Sequence, residues 1–111
     1  MSKEPEIVYL VPGDDKNYPK PGDTVEVSYK GFLSNGTEFE NSDSFNNGKF
    51  HFKVGNGDVI ECWDYAIRRM SLGSKIRVKC PSEMAYGIYG VPGKVPRRED
   101  ISFYIKLFRF K

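Results

Sequence analysis

Several residue types on which functional sites depend are scarce in this 111-residue chain, which has one histidine, one tryptophan and two cysteines. Cys62 and Cys80 do not stand at a metal-binding spacing from each other or from His51, so no metal site is indicated. No apolar run approaches the ~18 residues that indicate a membrane span, and the N-terminal residues lack the apolar core of a secretory signal. We therefore expect a cytoplasmic protein without a membrane partner, whose two cysteines are free thiols.

The chain also lacks a large excess of either charge, because it has 17 basic and 15 acidic residues and a net charge of +2. The chain contains no long basic run, so a nucleic-acid partner is not expected. Lys75, Arg77 and Lys79 alternate along one predicted strand, which leaves a small nucleic-acid-binding barrel open as an alternative, although a solvated strand face explains the same pattern. His51 falls on the wet side of another predicted strand, and no residue pattern offers it a catalytic partner.

Motifs for phosphate, dinucleotide or metal binding and for a reactive nucleophile are all missing. We therefore expect no cofactor and no metal, and any enzymatic activity has to come from chemistry that an apolar pocket can perform. At this length the chain is expected to be one domain, residues 1–111, with residues 1–6 as a flexible N-terminus.

Alternating apolar residues are the main pattern that is present, and they predict short β-strands. The predicted strands cover residues 7–11, 24–33, 37–41, 50–54, 75–80 and 101–108. Asn35-Gly36 is typical of a tight hairpin turn, and the polar segment 41–48 around Phe45 is predicted to be a flexible loop or bulge. The last strand is expected to pair in the centre of the sheet.

One helical pattern interrupts the strands, within residues 57–73. Ile60, Trp63, Ile67 and Met70 recur at the spacing of one helix face, and the pair Asp58 and Glu61 resembles a capping box, with Gly73 as the stop. The predicted fold is α+β, a twisted antiparallel sheet of about five strands wrapped around one short helix. Trp63 lies where such a helix meets the rim of the sheet, so its ring can floor a pocket as well as fill a core.

A long loop, residues 82–96, follows the fifth predicted sheet strand and includes several glycines and prolines. Loops of this length in small domains tend to be functional. Together with the high aromatic content of 14%, it suggests a rim of rings and loop residues around a site.

Five segments in order resemble the FKBP family, the tacrolimus-binding peptidyl-prolyl cis-trans isomerases. They are Val27-Ser28-Tyr29-Lys30-Gly31, Asn35-Gly36-Thr37-Glu38-Phe39-Glu40, Val59-Ile60-Glu61-Cys62-Trp63, the run from Ala85 to Gly93, and Val95-Pro96 with Phe103. The resemblance covers residues 7 to 111. It implies a sheet around one helix, with a pocket between them.

The resemblance also implies which residues form that pocket. The implied catalytic residues are Tyr29, Phe39, Glu40, Trp63, Tyr86 and Phe103, and the implied ligand-binding residues are Phe50, Val59, Ile60 and Val95. Trp63 is the implied floor, while the Ile60 backbone N–H and the Tyr86 hydroxyl are the implied hydrogen-bond donors.

Three positions depart from the family pattern. Glu40 stands where the family usually has Asp, and its extra methylene is expected to spoil a fixed hydrogen bond. The Arg that often holds that Asp is missing from the segment around Asp43, and Lys94 replaces an apolar loop residue at the surface that contacts partners in drug-bound family complexes.

The resemblance implies a monomeric cis-trans isomerase of X-Pro bonds that works without covalent or acid–base chemistry. Its implied partners are proline-containing peptides and proteins, macrolides such as tacrolimus and rapamycin, and a drug-dependent protein. The alternative function is a ligand- or partner-binding module of the same fold with weak isomerase activity, because Glu40 would be misplaced.

Overall fold

One antiparallel sheet dominates this computed structural model, which describes residues 4–44 and 48–111. Within those residues there are six strands in the order β1-β5-β6-β2-β3, and β4 pairs with the first half of β2. The strands are β1 (Glu6–Val11), β2 (Thr24–Phe32), β3 (Glu38–Asn41), β4 (Phe50–Lys53), β5 (Lys75–Cys80) and β6 (Ile101–Phe110). The one α-helix in this described part of the chain, α1 (Glu61–Ile67), lies between β4 and β5 in sequence.

The α+β fold predicted from the alternating pattern is confirmed, with six strands instead of about five. β6 pairs with both β5 and β2, so the prediction that the last strand is central is also confirmed. The hairpin at Asn35-Gly36 joins β2 to β3, and Gly36 takes the positive φ of +91° that such a turn requires. β1 begins at Glu6, inside the segment expected to be flexible, while Phe45 lies outside the described residues.

The helix is shorter than its pattern predicted, with seven residues in place of most of 57–73. The predicted capping box is wrong, because the Asp58 carboxylate accepts hydrogen bonds from the Lys53 backbone and the Asn56 side chain and does not cap α1. After Ile67 the chain closes into i→i−3 bonds, such as Met70 N–H to the Ile67 carbonyl, which tighten the last turn. The helix therefore ends well before the predicted stop at Gly73.

Packing of α1 against the sheet places two cysteines together, and the prediction of free thiols is wrong. Cys62 in α1 and Cys80 at the end of β5 form a disulfide, with their Cα atoms 5.7 Å apart. Both side chains are fully buried. A separation of 18 residues carried no sign of this pairing, which the fold creates by laying the helix across the end of β5.

Glu26 is buried in β2, although it alternates with the core residues Val25 and Val27 and so lies on the other face of the strand. Its Oε1 lies 3.0 Å from His51 Nε2 and 3.2 Å from the Arg109 guanidinium, and its Oε2 lies 3.8 Å from Lys49. Desolvation works against the charged carboxylate, but the hydrogen bonds from Arg109 and His51 prevail and hold the pKa of Glu26 below its usual value. His51 is at the surface, as predicted, and its ring contacts Glu26, a contact that no residue pattern indicated.

Candidate functional site

A cavity of about 360 Å³ opens over the start of α1, between the helix, the sheet and the long loop. Its position follows from the fold, because residues of β2, β4 and β6 line it together with the residues at the start of α1. The lining residues are Tyr29, Glu40, Phe50, Asp58, Val59, Ile60, Trp63, Tyr86 and Phe103. We call this space the Trp63 cavity.

Trp63 lies at the bottom of this cavity with only 5% of its surface exposed. The ring of Tyr29 is 4.6 Å from the indole and that of Phe103 is 5.2 Å away, both in edge-to-face geometry. Phe50 completes this cluster at 6.0 Å. Such contacts stabilise the arrangement of the rings, so the floor and this part of the wall are apolar.

Three hydrogen-bond donors in the lining have no partner among residues 4–44 and 48–111. The indole Nε1 of Trp63 is buried without an acceptor. The backbone N–H of Ile60, the residue before α1, and the hydroxyl of Tyr86 also donate no hydrogen bond within this part of the chain. Unmet donors around an apolar cavity are suited to a ligand that brings carbonyl oxygens.

Glu40 forms the polar corner of the cavity. The Tyr29 hydroxyl donates to Glu40 Oε1 over 2.5 Å, so the expectation that the longer side chain spoils this hydrogen bond is wrong. Lys94 lies on the long loop, and its Nζ is 3.8 Å from Glu40 Oε2. A cation therefore does reach this carboxylate, although it comes from the loop and not from the segment after β3.

The two tyrosines of the cavity stay protonated near neutral pH. Burial, then the hydrogen bond to Glu40 and its negative charge, raise the pKa of the Tyr29 hydroxyl far above its ordinary value. Burial and the same carboxylate raise the pKa of Tyr86. Both hydroxyls are therefore protonated and available as hydrogen-bond donors at physiological pH.

Eight of the ten predicted site residues line the Trp63 cavity, and Phe39 and Val95 do not. Phe39 packs with its ring 5.8 Å from that of Phe103, and a Cβ on Gly31 would come within 2.9 Å of Phe39, so this glycine permits the contact. Val95 is 4% exposed and forms an isolated bridge with Val91 inside the long loop. Asp58 also lines the cavity, and its sequence signal was assigned to helix capping instead.

Comparisons with known proteins identify close relatives. The sequence model of the family described as FKBP-type peptidyl-prolyl cis-trans isomerase matches residues 15–108. The chain is 40% identical over 104 residues to FK506-binding protein 1 of Kluyveromyces lactis, with 94% of this chain and 90% of that protein covered. It is 36% identical over 104 residues to peptidyl-prolyl cis-trans isomerase Fkbp12 of Drosophila melanogaster, covering 94% and 95%. A match of 40% identity over 99 residues to human peptidyl-prolyl cis-trans isomerase FKBP4 covers 89% of this chain and 21% of that protein.

Proposed function

Because this chain belongs to the FKBP family and is a peptidyl-prolyl cis-trans isomerase, we propose that the Trp63 cavity is where an X-Pro bond is bound and rotated. The observation that carries the proposal is an apolar, ring-lined cavity of about 360 Å³ with unmet hydrogen-bond donors at its edge. A pyrrolidine ring resting on the indole would fill the floor. The carbonyl groups on either side of the proline would then meet the donors.

The physical basis of the acceleration is the loss of amide resonance during rotation. An X-Pro bond faces a barrier of about 18–20 kcal/mol because its C–N bond is partly double. Resonance separates charge, so water stabilises the planar amide more than the twisted one. Transfer into the ring-lined cavity removes that preference and thereby lowers the barrier. Lowering the barrier by about 6 kcal/mol corresponds to roughly 10⁴-fold acceleration.

Hydrogen bonds in the cavity then favour the twisted amide. The Ile60 N–H is proposed to donate to a carbonyl that keeps its position during rotation, and the Tyr86 hydroxyl donates to a second one. Bonds that are better formed in the twisted state than in the planar state bind the transition state selectively. Glu40 acts through Tyr29, by holding that ring against Trp63, and is a positioning residue in this scheme.

Macrolides such as tacrolimus and rapamycin are proposed to occupy the same cavity and inhibit the enzyme. Proline-containing peptides and proteins are the proposed substrates, and the proposed drug-dependent partner would contact the loop that carries Lys94.

We propose that the enzyme is a monomer located in the cytoplasm. The Cys62–Cys80 disulfide instead favours a less reducing compartment. Trapping free thiols in cell extracts, to measure whether Cys62 and Cys80 are reduced or oxidised, distinguishes these two locations. No helix among the described residues has the length and apolarity to cross a membrane.

The experiment that tests the site combines an isomerisation assay on a proline-containing peptide with a tacrolimus titration followed by tryptophan fluorescence. Trp63 is the only tryptophan in the sequence, so its emission reports the cavity floor directly. We expect saturable fluorescence change and loss of activity at the same tacrolimus concentration. Tyr86→Phe is expected to weaken both by about twofold to tenfold, which is the value of one neutral hydrogen bond.

A matched control is Tyr89→Phe, because Tyr89 is 80% exposed on the same loop and does not line the cavity. Activity that persists at saturating tacrolimus, or equal effects of the two tyrosine substitutions, would contradict the proposed site. The alternative function, a binding module with weak catalysis, relied on a misplaced Glu40. The hydrogen bond from the Tyr29 hydroxyl to Glu40 supports catalysis over this alternative.

A further inference from the structure

The outer face of the sheet, on the side away from the Trp63 cavity, carries a group of basic side chains. Antiparallel pairing places Arg77, Tyr104 and Lys30 side by side on β5, β6 and β2, and places Lys75 beside Lys106 one step along. We call the set the outer basic face, and its cations are Lys30, Lys75, Arg77, Lys79 and Lys106. The strand pattern showed only the three cations of β5, and pairing with β6 and β2 adds the other two.

These five cations are exposed, and none of them forms an ion pair with a residue in the described parts of the chain. Four carboxylates lie at the margins of the face, on Glu4, Glu6, Asp43 and Asp100, and Glu6 is the cross-strand neighbour of Lys79. The Asp100 carboxylate already accepts a hydrogen bond from the Ser82 backbone. Positive charge is therefore concentrated in the middle of the face, although the whole chain carries only +2.

The shape of the face suits an extended chain. Two depressions, of about 590 and about 310 Å³, lie next to each other on this face, and Phe32 and Tyr104 line both of them. Lys75, Arg77 and Lys79 alternate along β5 and are spaced at ~6.8 Å, which is also the spacing of same-side residues in an extended peptide. Carboxylates at alternate positions of such a peptide can therefore meet these cations one by one. The half-buried Tyr104 offers its hydroxyl among them.

Aromatic rings on the same face argue against a nucleic acid as the occupant. Single-stranded nucleic acids bind to exposed rings on which bases stack. Here the ring of Tyr104 stands at 86° to that of Phe32 with centroids 5.7 Å apart, so the two cannot both lie flat under bases. The ring of Phe108 is occupied by the ammonium groups of Lys49 and Lys106, at 4.7 and 5.1 Å.

We propose that the outer basic face binds an acidic, extended segment of a partner protein. The cations of this site are on the opposite side of the sheet from the Trp63 cavity, because neighbouring side chains of a strand point to opposite faces; Tyr29 lines both the cavity and the smaller depression. The binding energy comes from charge complementarity with cations that form no ion pair among the described residues, so the interaction is expected to be fast, weak and sensitive to salt.

The test measures binding of a labelled peptide of about 12 residues, with glutamate at alternate positions, by fluorescence anisotropy at about 50 mM and about 200 mM salt. A peptide with glutamine in place of glutamate and a single-stranded oligonucleotide of about the same length are compared with it. The variant is Lys75→Glu with Arg77→Glu. Its matched control is Lys16→Glu with Lys20→Glu, which changes the net charge equally on an exposed loop outside the face.

We expect saturable binding of the glutamate peptide that weakens with salt, and a loss of about tenfold or more in the Lys75/Arg77 variant but less than about twofold in the control. Both variants should keep their melting temperature and isomerase activity, which separates this site from the Trp63 cavity. Equal binding of the glutamine peptide, equal weakening in both variants, or tighter binding of the oligonucleotide than of the glutamate peptide would each overturn the proposal.

Discussion

Replacing Glu40 by Asp probes how the polar corner of the cavity supports catalysis. The Tyr29 hydroxyl lies 2.5 Å from Glu40 Oε1. Removing one methylene withdraws the carboxylate by about 1.5 Å, so the gap becomes about 4 Å, which is beyond the reach of an O–H···O bond. We therefore expect Glu40→Asp to break this bond, even though Asp is the usual residue of the family.

The size of the effect follows from the kind of bond that is lost. A hydrogen bond to a charged group contributes about 1.5–3 kcal/mol, and each 1.4 kcal/mol corresponds to about tenfold in rate. Tyr29 forms part of the cavity wall, 4.6 Å from the indole of Trp63, so its displacement disturbs the bound amide. We expect kcat/KM for a proline peptide to fall about tenfold or more. Tyr29→Phe should lose a similar amount, and the double variant should lose little more than either one.

The matched control is Glu38→Asp, which makes the same change two residues earlier on β3. Glu38 is exposed, and within residues 4–44 and 48–111 its carboxylate accepts just one long hydrogen bond, of 3.4 Å from Asn41, so we expect nearly unchanged activity. A Glu40→Asp enzyme that equals or exceeds the parent would refute this reasoning. It would also restore the alternative in which the glutamate impairs catalysis.

Three further predictions concern the disulfide, acid stability and the pH profile. Reduction of Cys62–Cys80, which closes a loop of 18 residues, should lower the free energy of unfolding by about 3 kcal/mol, measured by urea denaturation with and without dithiothreitol. The pKa of Glu26 is lower in the folded protein than its unfolded value near 4.5. The ionised Glu26 carboxylate therefore stabilises the fold fully above pH 4.5, and this stabilisation is lost as the pH falls through the pKa of the folded state. Arg109→Gln should remove part of it, so the melting temperature of the variant should decline less steeply in acid. The pKa values of both cavity tyrosines are raised, so isomerase activity should be flat from about pH 6 to about pH 8.

Each of these has a clear contrary result. A double Cys→Ala variant should be insensitive to dithiothreitol, and equal sensitivity of variant and parent would show that the reductant acts elsewhere. If the Glu26–Arg109 interaction does not contribute to stability, the melting temperatures of Arg109→Gln and the parent should decline in parallel as the pH is lowered. A bell-shaped rate profile centred between about pH 6 and about pH 8 would indicate acid–base catalysis.

Local patterns were sufficient for most of the secondary structure. A strand with one buried face must alternate, and this period is visible without any partner strand. That is why β2, β5 and β6 were predicted with ends within two residues of those observed. The helix was overestimated because its apolar spacing continues to Met70, which is buried in a tight turn beyond α1.

Contacts between distant residues could not be read in the same way. Burial of Glu26 depends on Arg109, which is 83 positions away, and on His51, 25 positions away. The partner of Glu40 comes from the long loop, where Lys94 appeared only as an odd substitution. Whether two side chains meet across a cavity depends on where the backbone lies on both sides, and no periodic pattern in the sequence indicates that.

By itself the sequence determined the strand pattern, the helix around Trp63 and, through ordered motifs, the family. Those features repeat at short range, so a window of a few residues contains them. Tertiary structure alone decided that Cys62 meets Cys80, that Glu40 still accepts the Tyr29 hydroxyl, and that cations of three strands share one face. These depend on which strands become neighbours and in which register, and that is fixed only when the whole chain packs.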